Sequence, residues 1–249
     1  MRCRLPFLLC LTASLLAGAD VPALLAEARS AEAKLDSSRA LALYLQADAA
    51  QPDDAAILQK IAKQYSDMVP DQPTREAKKD YATRALGFAL RSHALVPDNA
   101  VHVLALAICH GHLALVGDIR TKVEMSRLIK EEAEQALQLD PNYAWAHHIL
   151  GRWHLEVADL NRLARFAARV LYGGIPPASL TESVAHLRRA TELEPTELNH
   201  WIDLGFAYAA AGRNDEARAA WQRGLAMPEA SRHDRAAKER ARAALADSD

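Results

Sequence analysis

The sequence lacks the short motifs that identify most enzymes and nucleotide-binding proteins. It contains no G-x-G-x-x-G or G-x-x-x-x-G-K-[ST] phosphate loop, no H-E-x-x-H or C-x-x-C metal pattern, and no G-x-S-x-G nucleophile pattern. Runs of β-branched residues are also absent, and aromatic residues make up only 6% of the 249 residues. These absences predict a protein that is not an enzyme and has no cofactor, and they argue against a β-rich fold.

The longest apolar run lies at the N-terminus. Arg2 and Arg4 precede an apolar stretch over 5–16, and Ala17-Gly18-Ala19 follows it, which is the layout of a secretory signal with a small-x-small cleavage site. We therefore predict a signal peptide over 1–19 and a periplasmic or secreted protein. An uncleaved N-terminal membrane anchor is the alternative, although the run is short for a transmembrane helix.

Charge and cysteine content argue against a nucleic-acid-binding protein and against a fold held by disulfides. Without residues 1–19 the chain carries 30 − 2 = 28 basic and 32 acidic side chains, and the two signs are interspersed. The sequence therefore contains no basic patch, and no nucleic-acid partner is predicted. Cys3 and Cys10 lie in the predicted signal, so the remaining Cys109 cannot form a disulfide within the mature chain.

Helical periodicity and regularly placed prolines dominate the rest of the chain. Apolar residues recur at spacings of three and four, and Ala and Leu are frequent, so the sequence predicts one helix after another. Four prolines each follow a helical stretch, and each precedes a residue that suits a helix N-cap. The four pairs are Pro52-Asp53, Pro97-Asp98, Pro141-Asn142 and Pro195-Thr196. We predict that one helix ends and the next begins at each pair.

The residues before these prolines repeat one helix face four times. Counting back 12, 8, 5 and 2 positions gives Ala40, Tyr44, Ala47 and Ala50; Ala85, Ala89, Ser92 and Leu95; Ile129, Ala133, Ala136 and Leu139; and Ser183, Leu187, Ala190 and Leu193. Small residues at the first and third places predict the close approach of a neighbouring helix. The apolar residue two positions before the proline is predicted to fill the end of the hairpin.

The partner helices carry a tetratricopeptide pattern. Its fullest copy comprises Trp201, Leu204, Gly205, Tyr208, Ala217, Trp221 and Gly224, and shorter copies comprise Leu58, Ile61, Ala62 and Tyr65, and Leu150-Gly151. We therefore predict an all-α, tetratricopeptide-like superhelix of helical hairpins (an α-solenoid) over 20–249, with an irregular helical bundle as the alternative. Gly205 is predicted to lie at a helix contact, and Tyr208 is predicted to be buried under the next helix.

The repeats are irregular. The proline spacings of 45, 44 and 54 exceed the roughly 34 residues of this repeat class, which predicts insertions within the hairpins. The largest insertion, over 159–178, predicts an amphipathic helix that Gly173-Gly174 ends, followed by a stiff turn at Ile175-Pro176-Pro177. One predicted side of this helix is apolar and carries Leu160, Leu163, Ala167 and Val170. The other side is basic and carries Arg162, Arg165 and Arg169. Ser179 and Glu182 predict a capping box, and the run over 232–242 predicts a C-terminal capping helix.

Three stretches resemble the regulator of microtubule dynamics family. They are Leu150-Gly151-Arg152-Trp153-His154, residues 165–177 and residues 183–195, and the similarity extends from about Ala100 to Pro195 and more thinly to the end. The resemblance implies a helical tetratricopeptide-like body on a membrane-targeting N-terminus, with cytoskeletal or organelle-contact partners in animals. Because the predicted export signal differs from that N-terminus, only the fold and a binding role are carried over.

The hairpins predict a partner-binding groove, because stacked hairpins present the faces of their first helices to a shared concave surface. Placing Leu104 and Ala107 as the Trp and Leu equivalents of the repeat turns neighbouring polar residues toward that surface. The predicted groove comprises Gln59, Lys63, His102, Cys109, His112, Trp145, His148, Arg152, Asn199 and Phe206. We expect a protein or peptide ligand there, with Trp145 and Arg152 contributing most to its affinity.

Two alternatives remain open. His102, Cys109 and His112 could bind zinc or copper if His148 approached them, which would make the chain a metal-handling or enzyme-accessory protein. Packed or groove histidines are the simpler interpretation, and no metal site is predicted. The face with Arg162, Arg165 and Arg169 is either solvated or meets anionic lipid. Membrane contact is therefore expected only through this face or through an uncleaved N-terminal segment.

Overall fold

The computed structural model describes residues 20–247, except for the side chains of residues 162–165 and 167. The predicted signal peptide over 1–19 lies outside this range. The described residues form helices and no strand: α1 (Val21–Ala33), α2 (Ser37–Ala50), α3 (Ala55–Met68), α4 (Arg75–Leu95), α5 (Ala100–Val116), α6 (Ile119–Leu139), α7 (Ala144–Ala158), α8 (Arg162–Tyr172), α9 (Leu180–Leu193), α10 (Leu198–Ala210), α11 (Asn214–Leu225) and α12 (Asp234–Ala246). None of these helices is long and apolar enough to cross a membrane.

The helices pack as five consecutive hairpins. The pairs are α1 with α2, α3 with α4, α5 with α6, α7 with α9, and α10 with α11, and each second helix also packs against the first helix of the next hairpin. The helix α8 lies between α7 and α9 in sequence without separating them, and α12 packs on α10 and α11. The predicted tetratricopeptide-like α-solenoid, with an inserted helix and a C-terminal capping helix, is confirmed.

Small residues bring the second helices close to their neighbours, as predicted. The predicted positions Ala40, Ala47, Ala85, Ala89, Ser92, Ala133, Ala136, Ser183, Leu187 and Ala190 are all fully buried. The prediction for the position two before each proline is wrong, because Ala50, Leu95 and Leu139 are exposed and only Leu193 is half-buried. In these last turns the residues that pack against neighbouring helices are instead those three positions earlier, Ala47, Ser92, Ala136 and Ala190.

The N-caps lie one residue further along the chain than predicted. The predicted caps are Asp53, Asp98, Asn142 and Thr196, whereas α3, α5, α7 and α10 are capped by Asp54, Asn99, Tyr143 and Glu197. At the first of these turns, Asp53 adopts a left-handed backbone with φ 61° and continues the turn. An N-cap has an extended backbone, which Asp54 provides, and its carboxylate accepts from the backbone N–H groups of Ala56 and Ile57.

The irregular proline spacing has two different causes. The helices α4 and α6 each contain 21 residues, whereas α2 and α9 contain 14, so the spacings of 45 and 44 reflect long second helices. The extra residues predicted within those two hairpins therefore mainly lengthen helices and form no separate helix. The predicted inserted helix is confirmed for the third spacing, where α8 stands between α7 and α9.

The glycine of the fullest repeat copy lies at a close helix contact, as predicted. A Cβ atom added to Gly205 would lie 2.3 Å from Cδ1 of Trp221 in α11. Tyr208, predicted to be buried, is half-exposed, and the Arg213 guanidinium lies 4.4 Å from the centre of its ring. The last hairpin is covered by α12 through Ala237 and Ala241, which pack with Ile202 and Trp221 and leave Tyr208 at the edge of the core.

The inserted helix differs from its prediction in orientation. Gly173 and Gly174 end α8 with positive φ values of 78° and 89°, as predicted. However, Val170, placed by the prediction on the apolar side, is exposed, and Ala168 is the buried residue. In the following capping box, Ser179 accepts from the N–H of Glu182, but its own N–H donates to Nδ1 of His154. The Ser179 cap is therefore confirmed, whereas the reciprocal bond from Glu182 is replaced by the contact with α7.

Candidate functional site

A buried carboxylate connects three helices on the face that the first helices share. The side chain of Asp203 in α10 is 6% exposed. It accepts a hydrogen bond of 3.2 Å from Arg240 in α12, and it lies 3.5 Å from Nε of Arg152 and 3.4 Å from Nε2 of His148, both in α7. Burying a charge without partners is costly, and the two guanidinium groups provide them. Asp203 in turn raises the pKa of Arg152.

A pair of buried histidines lies beside this carboxylate. Nδ1 of His148 is 3.0 Å from Nδ1 of His200, so one ring donates to the other and the two neutral rings have opposite tautomers. The Trp145 ring packs edge-on against both, with centroid separations of 4.9 Å. Burial, followed by the nearby Arg152, holds the pKa of His148 well below its ordinary value. Burial, followed by His148, lowers the pKa of His200 to about 3.

Residues of α3 and α5 extend the same face. Lys63 forms an ion pair with Asp67, one turn further along α3. Nδ1 of His112 in α5 is buried and has no hydrogen-bond partner among the described residues. Burial lowers the pKa of His112 to about 4, and the charges of Asp67, His233 and Arg152 also act on it. Four first-helix side chains and one from the C-terminal segment therefore share one electrostatic environment.

The segment before α12 joins the two ends of this face. Arg232 forms an ion pair with Asp71 just beyond α3, and Nε2 of His233 lies 3.9 Å from Asp67. Asp234, the first residue of α12, accepts a hydrogen bond of 2.9 Å from Asn199 in α10. We call Arg232, His233 and Asp234 the C-terminal latch. It links the second hairpin to the fifth, so the shared face is closed along one side.

The ten predicted groove residues fall into two groups. Contacts on the shared face involve Lys63, His112, Trp145, His148, Arg152, Asn199 and Phe206, and Gln59 is half-buried on α3. His102 and Cys109 lie instead between helices.

Specific partners hold the second group inside the fold. Nδ1 of His102 lies 2.6 Å from the Ser92 hydroxyl of α4, and Cys109, 1% exposed, lies 3.5 Å from the Ser66 hydroxyl of α3. Burial raises the pKa of the Cys109 thiol to about 12. A partner could reach these two side chains only if the hairpins separated, and His148 is equally buried. The binding role of all ten residues stays a prediction.

The metal-handling alternative finds no support. Over residues 20–247, no group of three or more His, Cys, Asp and Glu side chains is arranged to hold a metal ion. His102 and Cys109, which that alternative requires to act together with His112, are each bound to a different serine.

Sequence reasoning missed the residue at the centre of this face. Asp203 follows Trp201-Ile202 and precedes Leu204-Gly205, so an acidic side chain interrupts an apolar stretch. That is a signal of a buried, paired carboxylate. Its partners Arg152 and Arg240 lie 51 and 37 residues away, counted as 203 − 152 and 240 − 203, and nothing local in the sequence links them to it.

The arrangement of helices resembles a known tetratricopeptide structure. The crystal structure of TTC0263, a thermophilic TPR protein of Thermus thermophilus, matches with a TM-score of 0.67 and 20% sequence identity. The match covers 91% of this chain and 99% of that chain. This similarity establishes the fold.

Sequence comparison adds the family. The chain is 31% identical to Regulator of microtubule dynamics protein 3 of Xenopus laevis over 143 residues, which are 57% of this chain and 31% of that protein. It is 26% identical to the Mus musculus protein of the same name over 204 residues, or 82% and 43% of the two chains. The match thus spans less than half the length of either relative. The profile of Regulator of microtubule dynamics protein 1-3 matches residues 24–249, and the chain therefore belongs to this family.

Proposed function

We propose that this protein is a non-catalytic scaffold of tetratricopeptide type that binds a protein or peptide along the face shared by its first helices. The observation that carries the proposal is the convergence of charged side chains from separate helices on that face. Lys63, Arg152, Glu156 and Arg240 are all substantially exposed there, although the helices bearing them are otherwise packed mainly through apolar side chains. The fold and the family both support protein binding.

The chemistry of the face suggests the kind of segment that it binds. Both signs of charge are present, since Glu156 and Asp67 lie next to Arg152 and Lys63. Half-buried Trp145 and Phe206 add aromatic surface. A partner helix or an extended peptide with mixed charges and a few apolar anchors fits such a face. The C-terminal latch lies at its edge and borders the path of entry.

Site-specific photo-crosslinking in cells tests this proposal. A photoreactive amino acid at Gln59 or Lys63, both on α3, should yield discrete adducts with the same partner. The matched control is Leu90, an exposed residue on the second helix α4. Adducts from Leu90 alone, with none from α3, would contradict the proposal.

Substitutions then rank the residues of the face once the partner is known. We expect Lys63→Ala and Trp145→Ala to weaken binding, the latter by about thirtyfold if Trp145 is an interface anchor, while helical circular dichroism is retained. Arg152→Ala should also weaken binding, but Arg152 contacts Asp203, so its thermal stability must be measured in parallel. Arg169→Ala on α8 should matter less for this partner. The opposite ranking would assign protein binding to α8.

We also propose that the protein is exported, with cleavage after Ala19. The support is the order of Arg2, Arg4, the apolar run and Ala17-Gly18-Ala19. Intact-mass measurement of the native protein should give a chain beginning at Asp20. A soluble cytoplasmic form that keeps residues 1–19 would contradict export, and a membrane-bound form that keeps them would favour the N-terminal anchor.

A further inference from the structure

The inserted helix α8 exposes an unusual amount of apolar surface. Phe166, Val170 and Leu171 are 65%, 63% and 65% exposed, whereas Ala168 is 4% exposed. Phe166 and Val170 are four residues apart and lie on one face of the helix, and Leu171 widens that face by about 100° of rotation. Among the described side chains of α8, the small Ala168 is therefore buried, and Phe166, Val170 and Leu171 face outward.

The charges of α8 have a single sign. Its eleven residues include Arg162, Arg165 and Arg169 and no acidic residue. Arg169 is exposed. A short helix with large apolar residues on one part of its surface and only cations among its charges has the composition of an interfacial amphipathic helix. At about 16 Å in length it is too short to cross a bilayer.

Specific contacts attach α8 to the body of the protein. Nε of Arg127 in α6 donates to the Gly174 carbonyl at 3.0 Å, and its guanidinium also donates to the Tyr172 carbonyl. The C-terminal end of α8 is thus held against α6.

The same corner of the molecule carries further exposed apolar and basic residues. Ile119, the first residue of α6, is 65% exposed and lies about 12 Å along that helix from Arg127. Leu115, near the end of α5, is 75% exposed, and Arg120 and Lys122 are exposed in the first turn of α6. Asp118 and Glu124 balance these two cations, and Glu124 lies 2.8 Å from Arg120. This second element therefore adds exposed apolar side chains to those of α8 but no net positive charge.

We propose that α8 binds the surface of a bilayer that contains anionic phospholipid. In this arrangement α8 lies in the membrane plane, with Phe166, Val170 and Leu171 at the boundary between headgroups and acyl chains, and its arginines near lipid phosphates. The exclusive positive charge of α8 selects an anionic surface. A bilayer is favoured over an acidic protein because the exposed apolar residues are spread over two elements and more than one helix face, which suits a broad, deformable surface.

Position-specific fluorescence in the full chain tests this proposal. Phe166→Trp and Leu90→Trp each add one indole at an exposed apolar position, the second on α4 as a matched control. The probes are vesicles of phosphatidylcholine alone and of phosphatidylcholine mixed with phosphatidylglycerol, both with brominated acyl chains. We expect quenching at position 166 with the anionic vesicles and little at position 90. Because both variants contain the N-terminal apolar run, membrane binding by that run cannot produce the difference.

Substitutions and added salt measure separately how much the apolar side chains and the positive charges contribute to membrane binding. Phe166→Asp should weaken binding to the anionic vesicles by about tenfold or more, whereas Leu90→Asp should leave it unchanged. Replacing phosphatidylglycerol by phosphatidylcholine, or adding salt, should weaken binding of the wild-type chain by a similar factor. Circular dichroism checks that each variant is folded, which is expected because both positions are exposed.

Several outcomes would overturn the proposal. Equal quenching at positions 166 and 90 would show that α8 does not insert, and equal binding to neutral and anionic vesicles would show that its arginines do not select the surface. Protection of α8 from hydrogen exchange by polyglutamate, without any vesicle binding, would assign the face to an acidic protein. None of these results bears on the face of the first helices, so the proposed scaffold function would stand or fall separately.

Discussion

Single glycines in this protein differ sharply in the space around them. A Cβ on Gly205 would lie 2.3 Å from Trp221, and one on Gly151 would lie 2.7 Å from Cγ of Leu187 in the adjoining α9. Gly87 and Gly111, by contrast, have nothing from the described part of the chain within 4 Å of an added Cβ. The first two allow helices to touch, whereas the second two only add backbone flexibility to a helix.

These surroundings predict opposite effects for the same chemical change. Gly205→Ala should lower the free energy of unfolding by about 1–3 kcal/mol, because Trp221 is buried and must shift, and Gly205→Leu should cost more. Gly87→Ala, the control, should raise it by about 0.5–1 kcal/mol through helix propensity. Urea denaturation midpoints check both values. Equal midpoints for the two alanine variants would mean that α10 and α11 are not in close contact at Gly205.

At the scale of the elements, two pairs of histidines with lowered pKa values join neighbouring helices. The buried pair His148 and His200 joins α7 to α10. A second pair, His147 and His186, joins α7 to α9 with 2.9 Å between their Nδ1 atoms. Burial lowers the pKa of His186 to about 4 and also lowers that of His147. Protonation of either pair would place two cations in contact inside the fold.

The direction of these pKa shifts predicts that mild acid destabilises the protein. In the unfolded chain these histidines bind protons near pH 6.5, whereas in the folded chain His200 does so only near pH 3. The stabilisation that comes from keeping these histidines neutral is therefore fully present above pH 6.5, and it is lost as the pH falls below that value. From about pH 6.5 to 5 each such histidine should contribute a loss of up to about 2 kcal/mol.

Urea unfolding at about pH 7.5 and pH 5 measures this loss. The double variant His148→Gln with His200→Gln should lose clearly less stability between the two pH values than the wild-type chain. Leu90→Gln, at an exposed position on α4 without a titratable group, is the control and should keep the wild-type pH dependence. If the double variant kept it too, the two buried rings would not be neutral in the folded protein.

For the molecule as a whole, the C-terminal latch links the second hairpin to the fifth across the shared face. The pair of Arg232 with Asp71 joins residues 161 positions apart, and both side chains are partly exposed. Exposed ion pairs contribute at most about 1 kcal/mol to stability. The ion pair between Arg232 and Asp71 can therefore break without unfolding the hairpins, whereas Asp234 is buried and stays bonded to Asn199.

Charge reversal tests the latch. Asp71→Arg should increase hydrogen exchange in α12 and increase the radius of gyration slightly, while the urea midpoint changes little. Combining Asp71→Arg with Arg232→Asp restores opposite charges and should return exchange in α12 toward the wild-type rate. Unchanged exchange in the single variant would show that α12 is held by its contacts with α10 and α11 alone.

Local sequence features determined most of the architecture. These features act over only a few residues, so they predict helices and hairpins without knowledge of the rest of the chain. They are the spacing of apolar residues by three and four, the small residues before each proline, and the breaks at Pro52, Pro97, Pro141 and Pro195. The inserted helix followed from the same reasoning. The N-caps were displaced by one residue because the conformation of each turn, such as the left-handed Asp53, depends on how the two helices pack.

Only the tertiary structure decided which predicted groove residues are accessible. Spacing along α5 and α7 places His102, Cys109 and His148 on the first-helix face, but packing against α4, α3 and α10 buries all three. Lys63 and Arg152 stay exposed. Likewise, the outward orientation of Phe166 and Val170 depends on which side of α8 meets the body. Helix periodicity determines which residues share a face, but whether that face meets solvent or protein depends on contacts between residues far apart in sequence.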